Sequence, residues 1–265
     1  MIKLGVNTVL FKDYSLREAA KSIKAAGFDG MELSAIKGMC EHLPVEEWRS
    51  YKGEIQSLSA QYGLELISME VASLDRERLL KAFEAGAEIG IPIINVGPSG
   101  KSDVEEDLAQ SLETLAARAE DAAQFGVTLC CKAHVGSAVY NTPTTLRMME
   151  AVQSPNFGVD MDPSHIWRAG EKPEDALPSV ISRVKHIHIR DCKGEGPSPG
   201  EPALQACGRG DIDLFGYFKA MTDAQYDGPV CLEVIGPNLD LLHASVIAAE
   251  SCGYMNACLK KLGAR

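Results

Sequence analysis

The chain has 265 residues, and its 45% hydrophobic and 24% charged content is typical of a globular protein with a sizeable core. Its 37 acidic and 26 basic residues give a formal net charge of −11, which repels phosphate backbones and argues against nucleic acid as a partner. The N-terminal MIKLGVN lacks a secretory leader and no stretch has the length of a membrane span, so we expect a cytoplasmic protein without a membrane partner.

Short β-rich runs alternate with amphipathic segments along the whole chain. The predicted strands cover residues 2–7, 29–34, 64–71, 92–97, 127–134, 156–162, 184–191 and 229–235. Helical patterns lie between them, for example over 15–27 and 107–126, and several end in a glycine that is typical of a left-handed C-cap.

Eight strand–helix units without a Pro/Gly/Ser linker predict an α/β fold, a single (β/α)8 TIM barrel that forms one domain over residues 1–265. A doubly wound open sheet is the alternative, and it is weakened because no Gly-rich phosphate loop follows the first strand. The polar segment 192–211 is too rich in Gly and Pro for a helix, so we expect a loop after strand seven on the active-site face.

The eight cysteines include no C-x-x-C pair, and several lie in apolar strand-like segments. Reduced thiols are therefore expected.

Ionisable residues gather on the inward faces of strands five to eight, since residues two apart in a barrel strand share a side. The inward set is Lys132, His134, Asp160, Asp162, His186, His188, Arg190 and Glu233. Asp162, His188 and Glu233 come from three separate strands and predict a metal site suited to Mn, Mg, Co or Zn. We expect His186 to be a core residue and Asp191 to cap the following loop.

These features together resemble the xylose-isomerase-like TIM-barrel superfamily, also called sugar phosphate isomerases/epimerases. The matching stretches are GFDGMELS, SPNFGVDMDPSHIWRAGE, RVKHIHIRD, GRGDIDLFGYFKAM and YDGPVCLEVIG. D-P-S-H followed by H-I-H-I-R-D and L-E-V is a fairly specific signature of the superfamily, but not of one substrate.

The resemblance implies metal ligands at Asp162, His188 and Glu233. It also implies that His134, His165 and Arg190 bind substrate oxygens. The family's fifth strand usually reads Glu-x-His, and that Glu is a fourth metal ligand. This chain has Lys132-Ala-His134 at that place. The divalent metal cation that the resemblance implies is therefore in question.

Three interpretations of Lys132 stay open. The ammonium could take the metal's place between Asp162 and Glu233 and polarise a substrate oxygen. Alternatively, three ligands hold a metal and a nearby Lys132 with a depressed pKa acts as a base or a Schiff-base nucleophile, which is our first hypothesis. In the third interpretation Lys132 only balances charge in a site without catalysis.

The leading functional hypothesis is a sugar isomerase or epimerase. It would act on a small keto-sugar, polyol or sugar acid by removing a proton next to a carbonyl, with Glu233 and Lys132 as the catalytic pair and a divalent metal assisting. The alternatives are a dehydratase (lyase) acting by β-elimination on a keto-sugar or inosose, and a non-catalytic sugar-binding barrel. A DNA-repair endonuclease lacks the expected basic surface. The expected partner is a small carbohydrate, and a homo-oligomer is left open.

Overall fold

The fold is a closed barrel of parallel strands, seen in a computed structural model that describes all residues 1–265. The strands are β1 Leu4–Asn7, β2 Gly30–Ile36, β3 Cys40–Glu41, β4 Glu65–Glu70, β5 Ile93–Val96, β6 Thr128–Lys132, β7 Phe157–Met161, β8 Val184–Ile189 and β9 Val230–Leu232. Each of the eight predicted strands is present. The short β3 was not predicted, and it forms an antiparallel hairpin with β2 outside the barrel.

The barrel closes because β1 pairs in parallel with both β2 and β9. The remaining neighbours follow one another around the ring in the order β2, β4, β5, β6, β7, β8, β9. The prediction of a (β/α)8 TIM barrel is therefore confirmed. In such a barrel the carboxyl ends of all strands open at one face.

Ten helices connect the strands. They are α1 Leu16–Ala26, α2 Trp48–Tyr62, α3 Arg76–Ile89, α4 Glu105–Ala123, α5 Thr142–Ala151, α6 Pro163–Arg168, α7 Pro173–Val180, α8 Pro202–Gln205, α9 Leu214–Asp223 and α10 Leu241–Lys261. None of these helices is both long enough and apolar enough to cross a lipid bilayer.

Helix α1 shows how local sequence sets the boundaries of an element. Ser15 accepts a hydrogen bond from the Glu18 backbone N–H, and the Glu18 side chain bonds back to Ser15 in a capping box. The helix stops at Gly27, whose φ of 96° lies in the left-handed region that glycine adopts without strain. The predicted span of 15–27 therefore differs from the helix only by its two caps.

A contiguous core of 69 buried hydrophobic residues fills the spaces between barrel and helices. The sheet is irregular at two places, between Met31 and Glu32 and between Val159 and Asp160. At the second place the backbone N–H of His188 donates to the Asp160 carboxylate, 3.0 Å away, in place of a backbone carbonyl. Polar side chains of the barrel interior thus disturb the strand register directly, as is common beside active sites.

Candidate active site

The ionisable residues meet at and below the carboxyl ends of β4 and β6–β9. Asp162, Arg190 and Glu233 each lie one residue past the last residue of a strand, and Lys132 is the final residue of β6. All four side chains are buried. The predicted strands 184–191 and 229–235 include Arg190 and Glu233, whereas the observed strands end one residue before them.

Lys132 is held by two carboxylates. Its Nζ donates to Glu70 Oε1 at 3.0 Å and to Glu233 Oε1 and Oε2 at 2.9 and 3.0 Å. Only 5% of the Lys132 surface is exposed. An ammonium buried to this degree is stable only when its charge is compensated, and here two carboxyl groups contact it.

This pairing decides the protonation of Lys132. Burial alone would lower its pKa, but the charges of Glu233 and Glu70 outweigh burial and hold the pKa above its ordinary value. The expectation of a depressed pKa and a neutral amine is therefore not met. These contacts favour the ammonium form of Lys132, and its catalytic role stays a prediction.

The two carboxyl groups on Lys132 differ in acidity. Burial and the neighbouring Glu233 charge raise the pKa of Glu70 to about 8. Burial also opposes ionisation of Glu233, but Lys132 and Arg190 hold the pKa of that carboxyl well below its usual range. Near neutral pH the site thus contains one protonated and one ionised carboxyl group on the same ammonium.

Arg190 connects Glu233 to Asp162 on the other side of the barrel mouth. Its Nη1 lies 3.2 Å from Glu233 Oε2, and its Nη2 lies 3.1 Å from Asp162 Oδ2. Asp162 uses its other oxygen to cap α6, accepting from the backbone N–H and hydroxyl of Ser164. Neither Asp162 Oδ2 nor Arg190 Nη1 has an aligned hydrogen-bond partner, so both atoms remain available to a ligand.

His165 and His134 form the side of the mouth next to α6. Their rings stack with centroids 4.0 Å apart. His165 Nδ1 accepts from the backbone N–H of Val135 and from Arg168, and burial together with Arg190 lowers the His165 pKa well below its usual value. His165 is therefore a neutral imidazole. His134 is exposed and marks the side from which solvent reaches the group.

His188 lies deeper than expected and is enclosed by carboxylates. Its Nδ1 donates to Asp160 Oδ2 at 2.6 Å, and its Nε2 donates to Glu32 Oε2 at 2.5 Å. Burial would lower the His188 pKa, but these two neighbours raise it well above its ordinary value. Both ring nitrogens are thus occupied by hydrogen bonds.

His186 completes a polar layer below the mouth. It contacts Asp160 at 3.0 Å, and its other nitrogen lies 3.0 Å from the Ser68 hydroxyl. The side chain is fully buried and has partners on both sides. This is the satisfied core histidine that the sequence predicted.

Three groups of side chains bring ligand atoms within 4.8 Å of one another and could hold a divalent metal ion. The groups are Glu32–His186–Cys231, Asp160–His186–His188 and Glu32–Glu70–His188. Asp162, His188 and Glu233 do not form such a group. Their role as metal ligands stays a prediction, and the arrangement does not fit it, because Arg190 faces both carboxylates and His188 has no free nitrogen.

The loop over residues 192–211 covers the barrel mouth, the face at which the strands end. It is hydrogen-bonded to α6, because Trp167 Nε1 donates to the Gly194 carbonyl and Arg168 donates to the Pro197 carbonyl. Asp191 anchors its base by accepting from the backbone N–H groups of Cys192, Gly208 and Ile212. The expected loop-capping role of Asp191 is confirmed.

Sequence reasoning missed two carboxylates of the site, Glu70 and Glu32. Each is a single charged residue among apolar neighbours in a strand, in LISMEV and GMELS respectively. Their inward position follows from the same alternation that identified Glu233. Applying that alternation to every strand would have found both.

Comparison with known proteins reveals one matching family and several relatives. A family model described as xylose isomerase-like TIM barrel matches residues 20–258. An inosose dehydratase from Clostridium perfringens (strain 13 / Type A) is 27% identical over 286 aligned positions, which cover 88% of this chain and 89% of that protein. For an inosose dehydratase from C. perfringens strain ATCC 13124 the identity is 28%, but the chain spans only 46% of that relative.

Two solved structures share the fold. A D-tagatose 3-epimerase-like protein has a TM-score of 0.79 and 18% identity, covering 99% of this chain and 98% of its own. The IOLI protein with a bound zinc atom has a TM-score of 0.80 and 16% identity, covering 98% and 99%. At these identities the likeness extends to the architecture of the barrel.

Proposed function

Because this chain belongs to the xylose isomerase-like TIM barrel family, we propose that it is a dehydratase that removes water from a small polyhydroxy ketone by β-elimination. The observation that carries the proposal is the placement of Lys132 between Glu70 and Glu233, at 2.9 to 3.0 Å from three of their oxygens. Elimination needs an acid, a base and a cation together, and these three side chains supply them.

The roles follow from how many cations each carboxyl group contacts. Glu233 contacts both Lys132 and Arg190 and is therefore ionised, which suits a base. Among the cations Glu70 contacts Lys132 alone, and it is buried beside the Glu233 charge, so it keeps its proton more readily than Glu233 and suits an acid. Glu233 takes the proton from the carbon next to the carbonyl, and Glu70 protonates the hydroxyl that leaves.

The step balances without an oxidant or a reductant. The carbon–hydrogen electron pair becomes the new carbon–carbon double bond, the carbon–oxygen bond breaks, and the leaving hydroxyl departs as water with the Glu70 proton. Glu233 is then protonated and Glu70 ionised. Transfer of a proton from Glu233 to Glu70, which share the Lys132 ammonium, restores the resting state.

Contact with two cations makes Glu233 a weak base in the free protein, and substrate binding weakens these contacts. When a substrate carbonyl oxygen accepts hydrogen bonds from Lys132 and Arg190, these cations turn from Glu233 toward the oxygen. Negative charge developing on that oxygen strengthens the shift, so the proton affinity of Glu233 rises as the reaction proceeds.

The remaining polar atoms suit hydroxyl groups. Asp162 Oδ2 and Arg190 Nη1 are buried and, apart from their ion-pair contacts, have no aligned hydrogen-bond partner. His134 offers a ring nitrogen beside them, whereas Arg168 and Arg190 contact both nitrogens of His165. A compact ligand with several hydroxyls satisfies such a site, and the relatives named inosose dehydratase support this class of substrate.

Isomerisation or epimerisation, the first hypothesis from the sequence, is the second candidate. It requires the same removal of a proton by Glu233, and differs only in returning that proton to carbon. Dehydration is preferred because Glu70 places a proton donor on the same ammonium as the base. The divalent metal predicted from the sequence takes part in none of these steps.

A substrate panel tests the proposal. The purified chain would be incubated in D₂O with inososes, ketohexoses and keto sugar acids, and proton NMR would follow each compound. We expect an unsaturated or diketone product with loss of water from at least one inosose-like compound. A Glu233→Gln variant should abolish it, while Glu195→Gln, in the exposed part of the loop, should not.

Deuterium uptake without loss of water would contradict the dehydratase and favour the isomerase or epimerase. Saturable binding without any turnover would contradict both and favour the sugar-binding barrel.

A further inference from the structure

The cation at the barrel mouth is a side chain of the protein itself, the ammonium of Lys132. We infer that the Lys132 ammonium permanently occupies the cation position among Glu70, Glu233 and Asp162, and that exchanging this one side chain for a carboxylate turns the mouth into a divalent-ion site. The inference rests on the proposed function only for the catalytic role of that cation.

The carboxylate oxygens of Glu233, which a metal ion at the mouth would need as ligands, already contact cations. Both oxygens of Glu233 lie within 3.0 Å of Lys132 Nζ, and Glu233 also contacts Arg190. Arginine does not lose its proton in proteins, so its repulsion of a metal ion at this distance is permanent. A divalent ion at Glu233 would therefore meet two fixed positive charges.

The layer below the mouth adds no ligand. His188 cannot supply a nitrogen to a metal in the wild-type mouth, because Asp160 and Glu32 hold both of its nitrogens at 2.6 and 2.5 Å. To turn a nitrogen upward, His188 would have to leave one of these carboxylates without its buried partner. That loss is expensive in a fully buried cluster.

Charge favours an ion once Lys132 is replaced. A carboxylate with a divalent ion carries a net charge of +1, the same as the ammonium it replaces. Asp162 Oδ2 is buried, lies 3.1 Å from Arg190 Nη2 and has no aligned hydrogen bond, so it offers such an ion a further oxygen. Glu70, Glu233 and the new carboxylate would add oxygen ligands, which suit hard ions such as Mn²⁺ and Mg²⁺.

Metal content and metal titration test the inference without any turnover. Wild-type protein, Lys132→Glu and Lys132→Met would be stripped with a chelator, and binding of Mn²⁺ would be followed by calorimetry and elemental analysis. We expect no binding at the mouth of the wild type or Lys132→Met, and near-stoichiometric uptake by Lys132→Glu. Asp162→Asn added to Lys132→Glu should weaken that uptake.

Lys260→Glu is the matched control, since it makes the same charge change on an exposed face of α10 and should bind no ion. Circular dichroism of each variant establishes that it is folded. Near-stoichiometric binding by the wild type that Glu233→Gln or Asp162→Asn abolishes would overturn the inference, as would a folded Lys132→Glu that takes up no ion. Turnover failing on the whole substrate panel would instead count against the proposed function alone.

Discussion

Single residues at the barrel mouth form a chain in which carboxyl groups alternate with cations. The order is Glu70, Lys132, Glu233, Arg190, Asp162, and each neighbouring pair lies 2.9 to 3.2 Å apart. Burial of any one of these charges alone would be strongly unfavourable, but each has an opposite charge on at least one side. The acid, the base and the cation of the proposed reaction therefore depend on this group of residues as a whole and not on any one residue.

The pH dependence of turnover tests the acid. The pKa of Glu70 is about 8, so the proton that it donates is present below that pH and absent above it. We predict that kcat/KM, which reports the free enzyme, falls as the pH rises through about 8. Glu70→Gln keeps the shape but has no proton to give, so we expect kcat to fall by about 10²- to 10⁴-fold below that pH and the decline of kcat/KM above it to disappear. A variant with wild-type kcat would contradict the role of Glu70.

Removing the ammonium should affect stability as well as turnover. Lys132→Met leaves Glu233 and Glu70 without their shared partner, so we predict a loss of about 3 kcal/mol of unfolding free energy at pH 7.5. The loss should be smaller at pH 5, because Glu233 without Lys132 is then more readily protonated. Urea unfolding at both pH values measures this. Equal losses at pH 5 and pH 7.5 would show that lost packing, and not lost charge compensation, is the cause.

The direction in which a side chain faces could be predicted from its own strand, but the residues that it contacts on other strands could not. Alternation in HIHIRD and CLEV predicted inward-facing His188, Arg190 and Glu233. It could not predict that His188 turns down toward Glu32, because that contact joins residues 156 positions apart. Of the open interpretations of Lys132, the contacts favour the retained ammonium over the depressed pKa, and the sequence did not identify Glu70 as its partner for the same reason.

Among the elements, the roof loop over 192–211 is the part most closely tied to the site. Asp191, next to Arg190, collects backbone N–H groups from both ends of the loop. The sequence predicted an irregular loop from its Gly and Pro content. It did not predict the short α8 inside the loop, because four residues are too few to carry a periodic pattern.

A glycine in this loop offers a sharp test of its fit. A Cβ at Gly210 would lie 2.1 Å from Asp191 Oδ1 and 2.3 Å from the Cys192 carbonyl oxygen. We predict that Gly210→Ala displaces the base of the loop, lowers kcat/KM and speeds hydrogen exchange over 192–211. Gly196→Ala is the matched control, since a Cβ there meets no atom within 4 Å. Equal effects of the two changes would contradict the role of the Asp191 anchor.

For the whole molecule, the prediction of family is confirmed by the match over residues 20–258. Eight strand–helix units were readable from the sequence because parallel barrel strands are short apolar runs with long periodic segments between them. That residues 1–265 form one domain, that the protein is cytoplasmic, and that it avoids nucleic acid stay predictions.

Buried titrating groups should give the fold a stability maximum in mildly acidic solution. The raised pKa of Glu70 contributes stability that is full below its ordinary value of 4.5 and is lost as pH rises through about 8. His188, whose pKa is also raised, contributes stability that is lost as the pH rises through its pKa in the folded state. The lowered pKa values of Asp160 and Glu233 contribute stability that is lost on acidification below about 4.

We therefore predict that the unfolding free energy falls on both sides of a maximum at about pH 5 to 6. Urea unfolding from pH 3.5 to 9 measures the curve. Glu70→Gln should flatten the alkaline side. If the unfolding free energy of that variant fell just as steeply at alkaline pH, groups other than Glu70 would be the cause of the decline.

The central claim is that the Lys132 ammonium supplies the cation for proton removal, and one rate tests it most directly. The rate at which metal-stripped protein removes the proton next to the carbonyl of an inosose, followed by proton NMR in D₂O, would be compared between wild type and Lys132→Met. We predict that the wild type keeps its full rate after stripping and that Lys132→Met loses it. A wild-type rate that disappears on stripping and returns with Mn²⁺, or a Lys132→Met variant that keeps its rate, would contradict the claim.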